Sequence, residues 1–143
     1  MMKMRILGIK DVPAEVEVAL LLVRLVVGIA FMHHGYGKIQ HPMTWMGPDS
    51  AYPGIFQALA AISEFIGGAA LALGFLTRIA AFGIVCTMSV AVYLHLVKLG
   101  DPFVNTTGGN SYELAMVYLI ICVLFLFAGP GRFSLDKLIF WKK

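Results

Sequence analysis

The chain has 143 residues, 59% of them hydrophobic and 13% charged, with a mean hydropathy of +0.84. A soluble domain carries about 25% charged residues, so the composition excludes one and points to a single membrane domain over residues 1–143. The net charge of +3 sits at the ends of apolar segments, where it acts as a topology signal rather than as a surface for nucleic acid.

Taken in chain order, residues 1–15 are not expected to be a cleavable signal. Their apolar run, Ile6 to Ile9, is shorter than the roughly 7 residues of a minimal signal core, and no small-residue cleavage site follows. Apolar stretches then predict helices over residues 16–37, 54–75, 78–99 and 111–129, each approaching the roughly 20 residues needed to cross a bilayer. The short link from Gly74 to Arg78 makes the second and third antiparallel neighbours. Gly129-Pro130-Gly131-Arg132 must end the fourth. The tail, 134–143, mixes Leu135, Leu138, Ile139, Phe140 and Trp141 with lysines, the pattern of a short interfacial helix with a snorkelling basic end. The expected fold is all-α: a four-helix transmembrane bundle.

The distribution of basic residues orients it. With both termini cytoplasmic, the inner side holds Lys3, Arg5, Lys10, Arg78, Arg132, Lys137, Lys142 and Lys143, against Lys38 and Lys98 outside. Eight against two satisfies the positive-inside rule. Arg24, within the membrane, completes the 11 basic residues.

The apolar stretches also contain residues that lipid excludes: Arg24, Glu64 and His95, with Glu113 opening the fourth. A charge near the bilayer centre costs about 3 kcal/mol or more unless it finds a partner or water. By helical rise, Arg24 and Glu64 come within about 3 Å in depth, which predicts an ion pair between the first two helices. Its plain reading is structural glue. Gln57, one heptad before Glu64, extends a polar stripe towards the outer surface, which suggests a site as well.

A second cluster is expected near the outer edge, from His34, His95, Tyr112 and Glu113. His34 is placed towards the bundle interior and His33 away from it. Histidine titrates near neutral pH, so the functional reading is a pocket that handles protons or binds a ligand. The plain alternative is interfacial polarity satisfied by headgroups and water. Two histidines at similar depth are also compatible with a b-type haem, but the pair alone is a weak signal and haem is disfavoured. Zinc would want a third ligand, and no metal is expected. Cys86 and Cys122 form no Cys-x-x-Cys motif and read as small apolar packing. Tyr36, Trp45, Tyr52, Tyr93 and Tyr112 serve as interfacial anchors or line a site for a flat ring such as a quinone. The sequence leaves both roles open.

At these residues the chain resembles the DoxX family of small bacterial membrane proteins. The matching pieces are Arg24, Gly28, Phe31, His34-Gly35 and Lys38, then Glu64 with Gly67-Gly68, Leu71, Leu73-Gly74 and Thr77-Arg78 with Ala80-Ala81. His95, Gly108-Gly109-Asn110 with Tyr112-Glu113, and the closing Gly129-Pro130-Gly131-Arg132-Phe133-Ser134-Leu135-Asp136 follow in order. The resemblance covers residues 16–139 and implies a four-helix membrane bundle linked to redox chemistry. One branch of the family supplies the membrane subunit of a thiosulfate:quinone oxidoreductase, and another is associated with complexes handling oxidative and thiol stress. The lack of paired cysteines here speaks against a direct thiol relay.

Three functions follow from the residues and the resemblance. The preferred one is an inner-membrane redox subunit, linked to quinone and to oxidation of a small sulfur compound. In it Glu64, His95 and Glu113 act as catalytic residues, and Arg24, His34, Gln57 and Tyr112 bind substrate. The second is a non-catalytic anchor or assembly partner for an oxidoreductase. The third is a small-solute or proton-coupled transporter, which with four helices would need to form a homo-oligomer.

Overall fold

The computed structural model describes residues 12–140. The signal-peptide expectation for 1–15, the basic residues Lys3, Arg5, Lys10, Lys142 and Lys143, and Trp141 therefore lie mostly outside the described residues. Those residues are helical, with no strand among them. The elements are α1 (Ala14–Gln40), α2 (Gly54–Leu73), α3 (Thr77–Tyr93) continuing into a π-helical turn (Leu94–Leu99), α4 (Glu113–Ala128) and α5 (Leu135–Phe140).

The boundaries have local causes. Pro13 and Pro53 each precede a helix, and their carbonyls accept the first N–H bonds of α1 and α2. Glu15 and Glu17 occupy the first turn of α1, where the helix dipole favours negative charge. Gly74 ends α2 at φ 67°, with Phe75 N–H donating to Ala70 O at 2.8 Å, a 6→1 closure that favours glycine because a side chain is strained in this region. α1 runs through Lys38 to Gln40, three residues past the expected end, which puts Lys38 within a helix rather than a loop.

α1 packs on α2, α2 on α3 and α3 on α4. All four contribute to one core that includes Leu20, Val27, Phe31, Leu71, Ile84, Met88, Cys122 and Phe125. Large apolar side chains such as Leu22, Val26, Ile66, Phe82, Ile120 and Phe127 face outwards. That is the arrangement expected where lipid replaces water as the outer solvent. α1, α2 and the continuous α3–π segment are long and apolar enough to cross a membrane, and α4 is a shorter apolar helix. Contact between α1 and α2 is close because it runs over glycines. A Cβ on Gly28 would lie 2.6 Å from Ala72 N and Gly68 O, and one on Gly35 2.5 Å from Phe65 N.

Candidate functional site

Antiparallel packing of α1 on α2 sets Gly35 beside Phe65 and Gly28 beside Gly68 and Ala72. This register separates Arg24 from Glu64, and the expected ion pair does not form. Arg24 Nε donates to Ala72 O at 3.4 Å, while its two terminal nitrogens donate to Pro130 O and Phe133 O. Ala72 lies eight residues beyond Glu64 on α2, about 12 Å along the axis. The depth arithmetic failed because it started α1 and α2 at opposite membrane edges, whereas α1 overshoots its expected end and shifts the register.

Arg24 belongs to a buried network at the end of the bundle that holds the termini. Glu17 Oε2 accepts the N–H of Arg132 at 2.6 Å. The carboxylate of Asp136 accepts the N–H groups of Leu76 and Thr77 at 2.6 and 2.9 Å, and Asp136 N–H donates to Gly74 O at 2.8 Å. Asp136 thus caps α3 from the far end of the chain, satisfying donors that a helix start leaves open. It also holds Leu76 at φ 45°, the only non-glycine residue with positive φ among the described residues. Glu17, Arg24, Ser134 and Asp136 are all buried. The network binds backbone with most of its polar atoms and so fastens the termini end of the bundle.

The other, loop end of the bundle is different. Glu64, 2% exposed at its side chain, receives Lys38 Nζ at 2.7 and 2.6 Å on its two oxygens; the Lys38 side chain is 26% exposed. Nζ also stands 4.5 Å from the centroid of the Trp45 ring, a cation–π distance. Beside this group opens a cleft of about 500 Å³ lined by His34, Gly37, Lys38, His41, Thr44, Trp45 and Gly47. Gln57 shapes it indirectly. Its Oε1 accepts Met46 N–H at 3.0 Å, its Nε2 donates to Tyr52 O at 2.9 Å, and its carbonyl accepts Trp45 Nε1–H at 2.9 Å. These bonds pin the loop that carries Trp45, and they occupy the side chain that was expected to bind substrate.

Of the other expected site residues, His34 lines the cleft. It is exposed rather than interior, with its ring 6.1 Å from Tyr118 and 6.3 Å from Phe31. His95 lies in the π-helical turn and pairs with Asp101 at 2.7 Å. Glu113 is exposed in the first turn of α4, and Tyr112 packs on Phe103 with ring centroids 5.3 Å apart. His95, Tyr112 and Glu113 are not among the cleft's lining residues. Lys38 as the partner of Glu64 was not expected from the sequence, nor were the contacts of Trp45, Glu17, Asp101 and Asp136 or the place of His41 in the cleft. One signal was available for Lys38: a basic residue just past the assumed end of an apolar helix is the natural counter-ion for a buried acid on its neighbour.

No group of three or more His, Cys, Asp or Glu side chains able to hold a metal ion occurs among the described residues. No solved structure matches the chain. A protein of Haemophilus influenzae with no assigned activity is 33% identical over 125 residues, covering 86% of this chain and 92% of its own length. The Escherichia coli inner membrane protein YqjF is 32% identical over 133 residues, covering 86% and 93%. A Bacillus subtilis protein named as a candidate oxidoreductase, CatD, is 28% identical over 127 residues, covering 87% and 89%. The DoxX family model matches residues 19–96, a span that holds Arg24, Lys38, Glu64 and His95. With more than half of the chain matched and relatives aligned over most of their lengths, this membrane protein belongs to the DoxX family.

Proposed function

We propose that the chain is an inner-membrane redox subunit with both termini cytoplasmic, and that the cleft at its outer end binds the head of a quinone. The observation that carries this reading is the Lys38 ammonium, held between a buried carboxylate and an indole face at the wall of a cleft. The volume falls within the roughly 300–1,000 Å³ usual for small-molecule pockets. An ammonium has three donors, and the contacts to Glu64 leave one for a ligand carbonyl. Trp45 and His34 offer flat surfaces for a ring. Bound there, a quinone supplies two-electron redox chemistry. Glu64 aims Lys38, Lys38 orients the carbonyl by donating a hydrogen bond to it, and Gln57 fixes the loop bearing Trp45. The name of the Bacillus subtilis relative agrees with a redox role.

The termini-end network favours a second reading, an anchor or assembly partner for an oxidoreductase, because Arg24, Glu17 and Asp136 bind backbone of the bundle itself. Quinone extraction from mildly purified protein separates the two. Stoichiometric quinone in the wild type, lost in Lys38→Met and reduced in Glu64→Gln, supports the site. A wild type that carries none and binds none when it is added in excess rejects the site and turns attention to co-purifying proteins.

A further inference from the structure

The termini end presents a surface that neither the buried network nor the cleft uses. α5 has six residues, well below the roughly 12 that an isolated helix needs, so the bundle must hold it. Ser134 Oγ accepts the N–H of Lys137 at 3.2 Å and donates to Gly131 O at 2.8 Å. Asp136 is fixed to the turn between α2 and α3 through its N–H and its carboxylate. These bonds decide which side of α5 faces inwards. Asp136 is 2% exposed and Leu138 64%, and Phe133, Ile139 and Phe140 are exposed as well. α4 stops at Ala128, so this apolar patch follows directly on the end of an apolar helix, at the level where such a helix leaves the hydrocarbon.

Charge is sorted the same way. Three acids lie at this end among the described residues: Glu15, Glu17 and Asp136. Glu17 and Asp136 are buried and accept backbone N–H groups, which leaves Glu15 at the surface. The cations are treated oppositely. Arg132 and Lys137 give backbone N–H groups to Glu17 and Ser134, but their side-chain nitrogens make no hydrogen bond or ion pair with a described residue. Arg132 directly precedes exposed Phe133, and Lys137 directly precedes exposed Leu138. Uncommitted cations beside an apolar patch are the pattern of a surface that takes an anionic head and its acyl chains together.

We propose that α5 and the segment leading into it bind an anionic phospholipid. The phosphodiester of its head is set against Arg132 and Lys137, and its acyl chains against Phe133, Leu138, Ile139 and Phe140. A zwitterionic lipid brings its own ammonium beside the phosphate, so the two side chains discriminate against it. Each basic residue near an anionic membrane surface contributes about fivefold to binding.

The test is native mass spectrometry of the full-length protein released from detergent, titrated with dioleoylphosphatidylglycerol or dioleoylphosphatidylcholine. The two lipids share acyl chains and differ in net charge. Wild type should bind the phosphatidylglycerol more tightly, by about 30-fold when both cations contribute in full. Arg132→Gln with Lys137→Gln leaves both backbone N–H bonds in place, so the bundle should stay folded while the two affinities become nearly equal. Lys98→Gln, at the loop end, should leave the preference intact. Equal affinities in the wild type overturn the proposal without reference to any variant. A preference that survives the double change, or that Lys98→Gln removes, puts the anion elsewhere and overturns it too. Displacement of the phosphatidylglycerol by glycerol phosphate at equal concentration overturns the lipid as occupant and makes the surface a site for a free phosphate. None of these readouts depends on quinone in the cleft, so the two proposals stand or fall separately.

Discussion

Arg24 and Glu64 are two buried charges on neighbouring helices, and each is satisfied locally. Arg24 gives its donors to three backbone carbonyls, and Glu64 takes a lysine from the last turn of α1. Arg24→Met would strip those carbonyls of donors and remove a cation that interacts with Asp136 and Glu17. It should cost about 3–5 kcal/mol, the range for breaking a buried charge network, read as a large fall in thermal midpoint in detergent. The double change Arg24→Glu with Glu64→Arg should be no better than either single change, since the two never meet. Lys38→Met should cost less, about 1–3 kcal/mol, because its exposed end lets water reach Glu64, yet it should abolish ligand binding in the cleft. That residues of this kind sit within the membrane is legible in the sequence. Their partners are not, because partner choice depends on helix register, and register depends on where α1 ends.

At the scale of elements, the consequential contacts are those that fix helix ends and helix spacing. Asp136 supplies the start of α3 with a cap from 59 residues away. Asp136→Ala should destabilise by about 1–2 kcal/mol and speed amide exchange at Leu76 and Thr77 selectively. Asp136→Asn, which keeps one acceptor, should recover part of that protection. Gly28→Ala would drive a methyl group into the backbone of α2, so α1 and α2 would have to part. The expected result is loss of the folded bundle, seen as faster proteolysis across the 41–53 loop. Small residues of this kind, Gly28 and Gly35 on α1 and Gly68 on α2, mark helix contact in membranes. The π-helical turn left no comparable mark. Leu94–Leu99 continues the apolar pattern of α3, and only Gly100 hints that the helix ends there by folding back. A carboxylate that caps a helix from a distant segment is equally silent, since capping is recognised in sequence by proximity.

For the whole molecule, the two ends have different jobs, and which end faces the cytoplasm decides what the cleft can reach. The termini end carries Arg78, Arg132 and Lys137 among the described residues, and the loop end Lys38 and Lys98. Lys3, Arg5, Lys10, Lys142 and Lys143 lie in the terminal segments, so the charge rule supports the proposed orientation with the termini in the cytoplasm. The span of α4 bears on this too. Its 16 residues extend about 24 Å, short of a hydrocarbon core of about 30 Å. The bilayer should therefore thin locally or water should enter at one end of α4. The Gly129–Ser134 segment closes the termini end with a paired backbone, while the 100–112 loop at the other end is mostly exposed. Water should enter from the loop end, towards His95 and the cleft. Single cysteines at Asp49, Asn110 and Arg132, in a background where Cys86 and Cys122 are replaced, test this directly. A membrane-impermeant maleimide applied to cells with only the outer membrane opened should label the first two and spare the third until the inner membrane is breached. The reverse pattern would put Lys38, Glu64 and His95 on the cytoplasmic side, so that any ligand would have to come from the cell interior and the outward-facing redox site would be rejected.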